Sequence, residues 1–166
     1  MHIHVGKPRD LTLNASFGAC SLIAEISQSL DSENLVELTV AERFLQRLQE
    51  WSSRLPSNIR QFTKSTDPPL TLQEQEQILG NITVSCVYYF AVIVVTRPFL
   101  ISHLMEHLPG GGGAAAEGVE GMPTSKDNSD VVDLAQACID SAIYMAQMCH
   151  EALQSGLLLN QMCILK

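Results

Sequence analysis

Residues 71–97 read TLQEQEQILGNITVSCVYYFAVIVVTR, and the fold class turns on whether this stretch is a strand, a membrane span or a helix. Its second half, Val84 to Val95, is apolar almost without interruption. The β-branched Val84, Val87, Val92, Ile93, Val94 and Val95 favour a strand by propensity alone. Against that, Thr71 and Glu74 stand three apart as a capping box, in which each side chain satisfies an orphan backbone N–H at a helix start. No turn residue breaks the run, and a strand from Val84 to Val95 would be long beside the usual ~5–6 residues. A membrane span needs about 20 apolar residues, whereas Gly80 and Asn81 close this run on one side and Arg97 and Pro98 on the other. The stretch is therefore expected to be a helix, apolar all round because other helices surround it.

Upstream, Val40, Phe44, Leu48, Trp51 and Leu55 follow one another at steps of three and four, with Arg43, Gln46, Arg47, Gln49 and Glu50 on the other side. Thr39 and Glu42 form a second capping box at the start of this helix, and Pro56 stops it by pushing the preceding residue out of helical geometry. Earlier still, Ala19, Leu22, Ile23, Ile26 and Leu30 line one face of a helix over residues 14–30. Residues 1–13 read as an irregular entry, Asp31 to Leu38 as a connection, and Ile59 to Leu70, with Pro68 and Pro69, as a loop.

Downstream, Arg97-Pro98 is expected to end the central helix and turn the chain into a short helix over Phe99 to Leu108. Pro109, Gly110 to Gly113 and Ala114 to Ala116 open a stretch of small and polar residues that cannot offset its ordering entropy, so 109–128 reads as a flexible insertion. Ser129 is the expected cap of a last helix striped by Val131, Leu134, Ala135, Cys138, Ala142, Met145, Cys149 and Ala152, with Gly156 as its stop. Leu157 to Leu165 is apolar again, which reads as a piece of something longer or as a last helix docked on the body. The expected architecture is all-α: an irregular helical bundle around a central apolar helix. Residues 14–108 form its first helical part, 109–128 a disordered Gly-rich insertion, and 129–166 its last helices.

Composition narrows the function. The chain has 166 residues, 46% of them hydrophobic, which suits one globular domain. A net charge of −8 with only 10 Lys and Arg argues against direct nucleic-acid binding, which draws on cations set against phosphates. The 5 cysteines, Cys20, Cys86, Cys138, Cys149 and Cys163, include no C-x-x-C and lie in apolar helical patterns. They read as small hydrophobes in a reducing compartment. Asn14-Ala15-Ser16 and Asn81-Ile82-Thr83 match the glycosylation sequon, but without a signal peptide they read as chance.

No catalytic constellation emerges. His103 and His107 are four apart on one helical face, but zinc needs a third ligand, and Glu106 is expected to face another way. His2 and His4 lie in the irregular entry, and Gly110 to Gly113 lack the Lys and Ser or Thr that follow a phosphate loop. Cys149 and His150 are neighbours on a helix and point about 100° apart, so a buried Cys beside an exposed His is expected, not a nucleophile and base. Asp133 and Asp140 sit about 10 Å apart along the axis, too far for a carboxylate pair. The chain is expected not to be an enzyme and to hold no metal or cofactor.

Two stretches carry a resemblance. Leu48-Gln49-Glu50-Trp51-Ser52-Ser53-Arg54-Leu55-Pro56 follows L-x-x-W-x-x-x-L-P, and Val87-Tyr88-Tyr89-Phe90-Ala91-Val92-Ile93-Val94-Val95-Thr96-Arg97-Pro98-Phe99-Leu100 is a Tyr-containing apolar helix closing on R-P-F-L. In this order, with the alanine-rich Cys138 to Ala146 after them, they resemble the fungal-specific transcription factor domain, the middle homology region of zinc-cluster regulators. The resemblance runs over most of Ala19 to Leu153, apart from the Gly-rich insertion. It implies an all-helical regulatory region acting in the nucleus on transcription by RNA polymerase II, through contacts with other domains of its own protein or with a coregulator. Trp51, Leu55, Pro56, Tyr88, Tyr89, Arg97, Pro98 and Phe99 are the signature residues, expected in structural roles. Zinc belongs to the six-cysteine DNA-reading cluster, which this sequence lacks, so none is expected here. Membrane insertion is not expected, and the effector is unspecified. The alternatives are a helical domain that senses a small effector between its helices, or a membrane-associated helical protein.

Overall fold

The computed structural model describes residues 8–32, 37–60, 71–107, 125–154 and 156, and no strand occurs among them. Five helices follow in order: α1 (Pro8–Ser32), α2 (Leu38–Arg54), α3 (Ser57–Arg60), α4 (Leu72–His107) and α5 (Ser125–Gln154). The architecture is the expected all-α bundle, with the long apolar α4 packed most extensively on α5, then on α1, α2 and α3. The Gly-rich residues 109–124 and the apolar end from Leu157 lie outside the described residues.

The core forms where α1, α2, α4 and α5 converge. Ile26, Phe44, Leu48, Val92, Val95, Phe99 and Leu134 are buried together. Burying each such side chain is worth ~1.5–3 kcal/mol. The stripe of α2 supplies Phe44 and Leu48 to this core, as its spacing predicts. Arg43 and Arg47 each set a guanidinium 5.7 Å from the centre of the Phe44 ring. Arg47 also grips Glu25 of α1 through both nitrogens, with Nη2 donating to Oε2 at 2.8 Å. Those hydrogen bonds hold the Glu25 carboxyl below its usual range.

The chain differs from its sequence reading at several helix ends, each for a physical reason. Residues 8–13 belong to α1, not to an irregular entry. Proline suits a first helical turn, where its missing N–H costs nothing. In α2 the capping box does not close. The helix begins one residue before Thr39, with Glu37 as N-cap and no side-chain cap, and the Thr39 hydroxyl only donates to Glu37 Oε2 at 3.5 Å. Ile59 is not a loop residue: α3 holds it 1% exposed against Ala15 and Val84. The Thr71–Glu74 box of α4 does close. The Thr71 N–H donates to Glu74 Oε2 at 2.8 Å, and the Glu74 N–H donates to Thr71 Oγ1 at 3.3 Å.

Pro98 neither ends α4 nor turns the chain; the helix continues through Arg97-Pro98 to His107, absorbing the separate short helix expected after it. A mid-helix proline costs ~3 kcal/mol by removing one N–H and crowding the carbonyl four residues back. Here Val95 and Phe99, on either side of it, are both buried in the core and offset that cost. Continuity through Pro98 also removes the length limit that argued against a membrane span. By length and composition α4 can cross a membrane: its most apolar 18-residue window has a mean hydropathy of 2.1, and 39% of it is buried in the bundle. A bundle's core helix passes the same test. Nor is α4 surrounded, since Phe90, Ile101, Leu104 and Met105 remain about half exposed.

Helix α5 starts at Ser125, so Ser129 lies inside it and is not its cap. Its buried face runs through Leu134, Cys138, Ser141 and Ala152, whereas Ala142 and Cys149, expected inside, are exposed. Gly156 adopts φ 74° and donates its N–H to the Leu153 carbonyl at 3.0 Å, the expected left-handed stop. Gly80 allows α1 to approach α4: a Cβ there would stand 2.7 Å from Thr12 Oγ1.

Candidate functional site

The last turn of α2 presents Trp51 and Leu55 one turn apart, and Pro56 then forces Leu55 into an extended conformation (ψ 142°). The chain re-enters a helical turn at once, and α3 swings Ile59 back under Trp51 and Leu55. Two amide contacts hold that turn on α4, and a third links their donors. Asn81 Nδ2 donates to the Asn58 carbonyl at 2.7 Å, and Gln77 Nε2 donates to the same carbonyl at 3.3 Å and to Asn81 Oδ1 at 2.9 Å. Asn81 is buried, and its hydrogen bonds remove the penalty that an unpaired amide there would carry.

These elements frame an open cleft of about 220 Å³ lined by Trp51, Ser52, Leu55, Ile59, Val84, Ser85, Tyr88 and Tyr89. Its rings form a ladder. Trp51 stacks on Tyr88 with centroids 6.4 Å apart, Tyr88 meets Tyr89 edge-on at 5.4 Å, and Tyr89 stacks on Tyr144 of α5 at 5.7 Å. The ladder thus ties α2, α4 and α5 together, each contact adding ~0.5–1.5 kcal/mol beyond its buried area. Burial, then the neighbouring Tyr89, pushes the Tyr88 phenol above its usual value, so it stays a neutral hydroxyl near neutral pH. The cleft therefore offers flat aromatic faces, phenol and serine hydroxyls and the aliphatic edges of Leu55, Ile59 and Val84. That surface suits a planar or aromatic group carrying a hydrogen-bonding edge.

Four signature residues, Trp51, Leu55, Tyr88 and Tyr89, meet in this cleft although a proline-containing stretch separates them in sequence. The other four do not join them. Pro56 is exposed and ends α2, Arg97 is exposed on α4, Pro98 lies within α4, and Phe99 is buried in the main core. Sequence reading missed Ile59, Ser52, Ser85 and Tyr144. For Ile59 the available signal was a lone large aliphatic three residues after a helix-stopping proline.

Two other clusters lie elsewhere. Cys86 of α4 and Cys149 of α5 bring their sulfurs to 3.8 Å. Desolvation first, and Cys149 second, push the Cys86 thiol up to about 11. Cys149 and Cys20 are exposed, so neither is the buried small hydrophobe that the helical pattern implies; Cys138 is buried as expected, and Cys163 lies outside the described residues. Cys149 and His150 address different partners, His150 Nε2 lying 2.9 Å from Gln154 Nε2. At the end of α4, Glu106 does not face away from His103 and His107: ligand atoms of all three lie within 4.8 Å of one another.

No protein-family model, curated protein or solved structure matches this chain.

Proposed function

We propose that this chain is the regulatory, non-DNA-contacting helical region of a transcription regulator of the fungal zinc-cluster kind, acting in the nucleus through protein contacts. The observation that carries this reading is the convergence of both resemblance motifs on one feature, with Trp51 and Leu55 from the first meeting Tyr88 and Tyr89 from the second. Residues that resemble a family signature and also build one surface cleft have a shared reason to occur together. The net charge of −8 supports a role apart from DNA. Exposed Val132, Ile139, Ile143, Tyr144 and Leu153 on α5 add apolar surface of the sort a coregulator, or another part of the same protein, covers. The reading needs no catalysis, cofactor or membrane insertion.

Effector sensing is the second reading, favoured by the cleft itself. At about 220 Å³ it is smaller than the usual ~300–1,000 Å³ of small-molecule sites, so it suits one aromatic ring better than a whole metabolite. A docked side chain from a protein partner meets that size directly.

The test is a reporter assay with the chain placed between a heterologous DNA-binding domain and an activation region. The chain is expected to change reporter output, and Trp51→Ala with Tyr88→Ala to abolish the change at equal protein level. Unaltered output with the wild-type chain rejects the reading. Dependence on a small molecule added to the medium favours effector sensing.

A further inference from the structure

Helix α4 ends in His103-Leu104-Met105-Glu106-His107, and its last turn brings together three groups that the cleft does not use. The two imidazoles lie with centroids 4.5 Å apart, tilted 48°, and the Glu106 carboxylate joins them so that all three donors lie within 4.8 Å of one another. His103 is half-buried, and Glu106 and His107 are exposed. We propose that His103, Glu106 and His107 form a binding site for a borderline divalent transition-metal cation, zinc being the best fit.

Three features of this turn lead there. The first is the donor set: two imidazoles and one carboxylate suit zinc, and leave a fourth tetrahedral position for water. Metal bonds of about 2.0–2.2 Å set donors ~3.3–3.6 Å apart, a gap that rotation of exposed side chains closes. The second is the state of His107. Its Nδ1 lies 2.7 Å from the His103 carbonyl, and a carbonyl only accepts, so Nδ1 carries the proton and Nε2 keeps the lone pair that can bind a metal. That is the outer-shell bond that fixes tautomer and ring orientation in metal-ligating histidines. The third is position. The site occupies the C-terminal turn of a helix, where the partial negative charge of unpaired carbonyls favours a cation. A bound ion would clip residues 103 and 107 together and stiffen the end of α4.

Zinc and cobalt(II) titrations of the full 166-residue chain test this. One equivalent of Zn²⁺ is expected to bind, and Co²⁺ is expected to give a visible spectrum of nitrogen and oxygen ligation without a thiolate charge-transfer band. His107→Ala and His103→Ala should each weaken binding more than about a hundredfold, beyond the range that outer-shell changes alone reach. Glu106→Gln should weaken it less, and His150→Ala not at all. Hydrogen exchange in the last turn of α4 should slow with Zn²⁺ in the wild-type chain and not in His107→Ala, a readout that also registers any loss of folding. Unchanged affinity in the double variant His103→Ala/His107→Ala overturns the proposal. A thiolate band with Co²⁺ also overturns it, by assigning the metal to cysteine sulfur.

Discussion

Among the described residues, two packing centres are built on opposite terms. The larger, around Ile26, Phe44, Leu48, Val95 and Phe99, is apolar and draws side chains from α1, α2, α4 and α5. The smaller gathers the buried Ala15, Ile59 and Val84, with Trp51 and Leu55 half-buried over them and the Asn58–Gln77–Asn81 amide contacts alongside. In the first, non-directional burial supplies the stability. In the second, directed hydrogen bonds and ring stacking hold a one-turn helix in place so that an aromatic surface stays open. Folding and the open aromatic surface thus rest on separate sets of residues.

Truncation breaks the comparison most sharply. Leu48→Ala, at a residue with no exposure, is expected to cost ~2–5 kcal/mol, and Phe44→Ala ~3–5 kcal/mol. Urea unfolding should show both as lower midpoints with an unchanged slope. Ile59→Ala belongs at the low end, ~2 kcal/mol, because a four-residue helix can settle into the space left behind. Equal losses at Leu48 and Ile59 would erase the distinction between the two centres.

Asn81→Leu sharpens the comparison from the polar side. It removes the two amide contacts of Asn81 and leaves the Asn58 carbonyl its longer bond from Gln77. The expected loss is ~1–3 kcal/mol, with the aromatic cleft perturbed as well. Near-ultraviolet circular dichroism of Trp51 and Tyr88 should change while far-ultraviolet helicity persists. An unchanged aromatic spectrum would mean the amides do not govern the cleft.

The same contrast explains what was legible in sequence. The class of the fold was readable because the stripe of Val40, Phe44 and Leu48 has one period and large side chains. On α5 the stripe beyond Val131 and Leu134 is made of Ala, Cys and Met, small or pliable residues that do not say which neighbouring row faces inward, and so Ser141 lies inside where Ala142 was expected. The course of α4 through Pro98 was illegible because the burial of Phe99, a tertiary term, offsets a local penalty. Half of the candidate site was visible as Trp51, Leu55, Tyr88 and Tyr89. Their meeting depends on how α3 folds back, and no periodicity within a single helix encodes that. At His103, Glu106 and His107 backbone angle misled, since side-chain reach brings together donors that a helical wheel separates.

The smallest effect concerns two identical-looking helix starts. Thr71→Ala removes a cap that closes, at an expected cost of ~1 kcal/mol, whereas Thr39→Ala removes one that does not and should be close to neutral. The closed cap also titrates. The Thr71 N–H and hydroxyl hold the Glu74 carboxyl below its unfolded value of 4.5. An acid depressed in the folded state contributes stability that is fully present above the unfolded value and is lost as pH falls through the folded one. Thermal melts near neutral pH should therefore separate Thr71→Ala from the wild-type chain. That gap should narrow below pH 4.5 as Glu74 takes up its proton and the bond from the Thr71 hydroxyl, which the substitution removes, weakens. Thr39→Ala should show no gap at either end, because no cap bond to an acidic residue at its third position exists to be titrated. A Thr39→Ala penalty as large as that of Thr71→Ala would mean that α2 begins at Thr39 in solution, and that both boxes close.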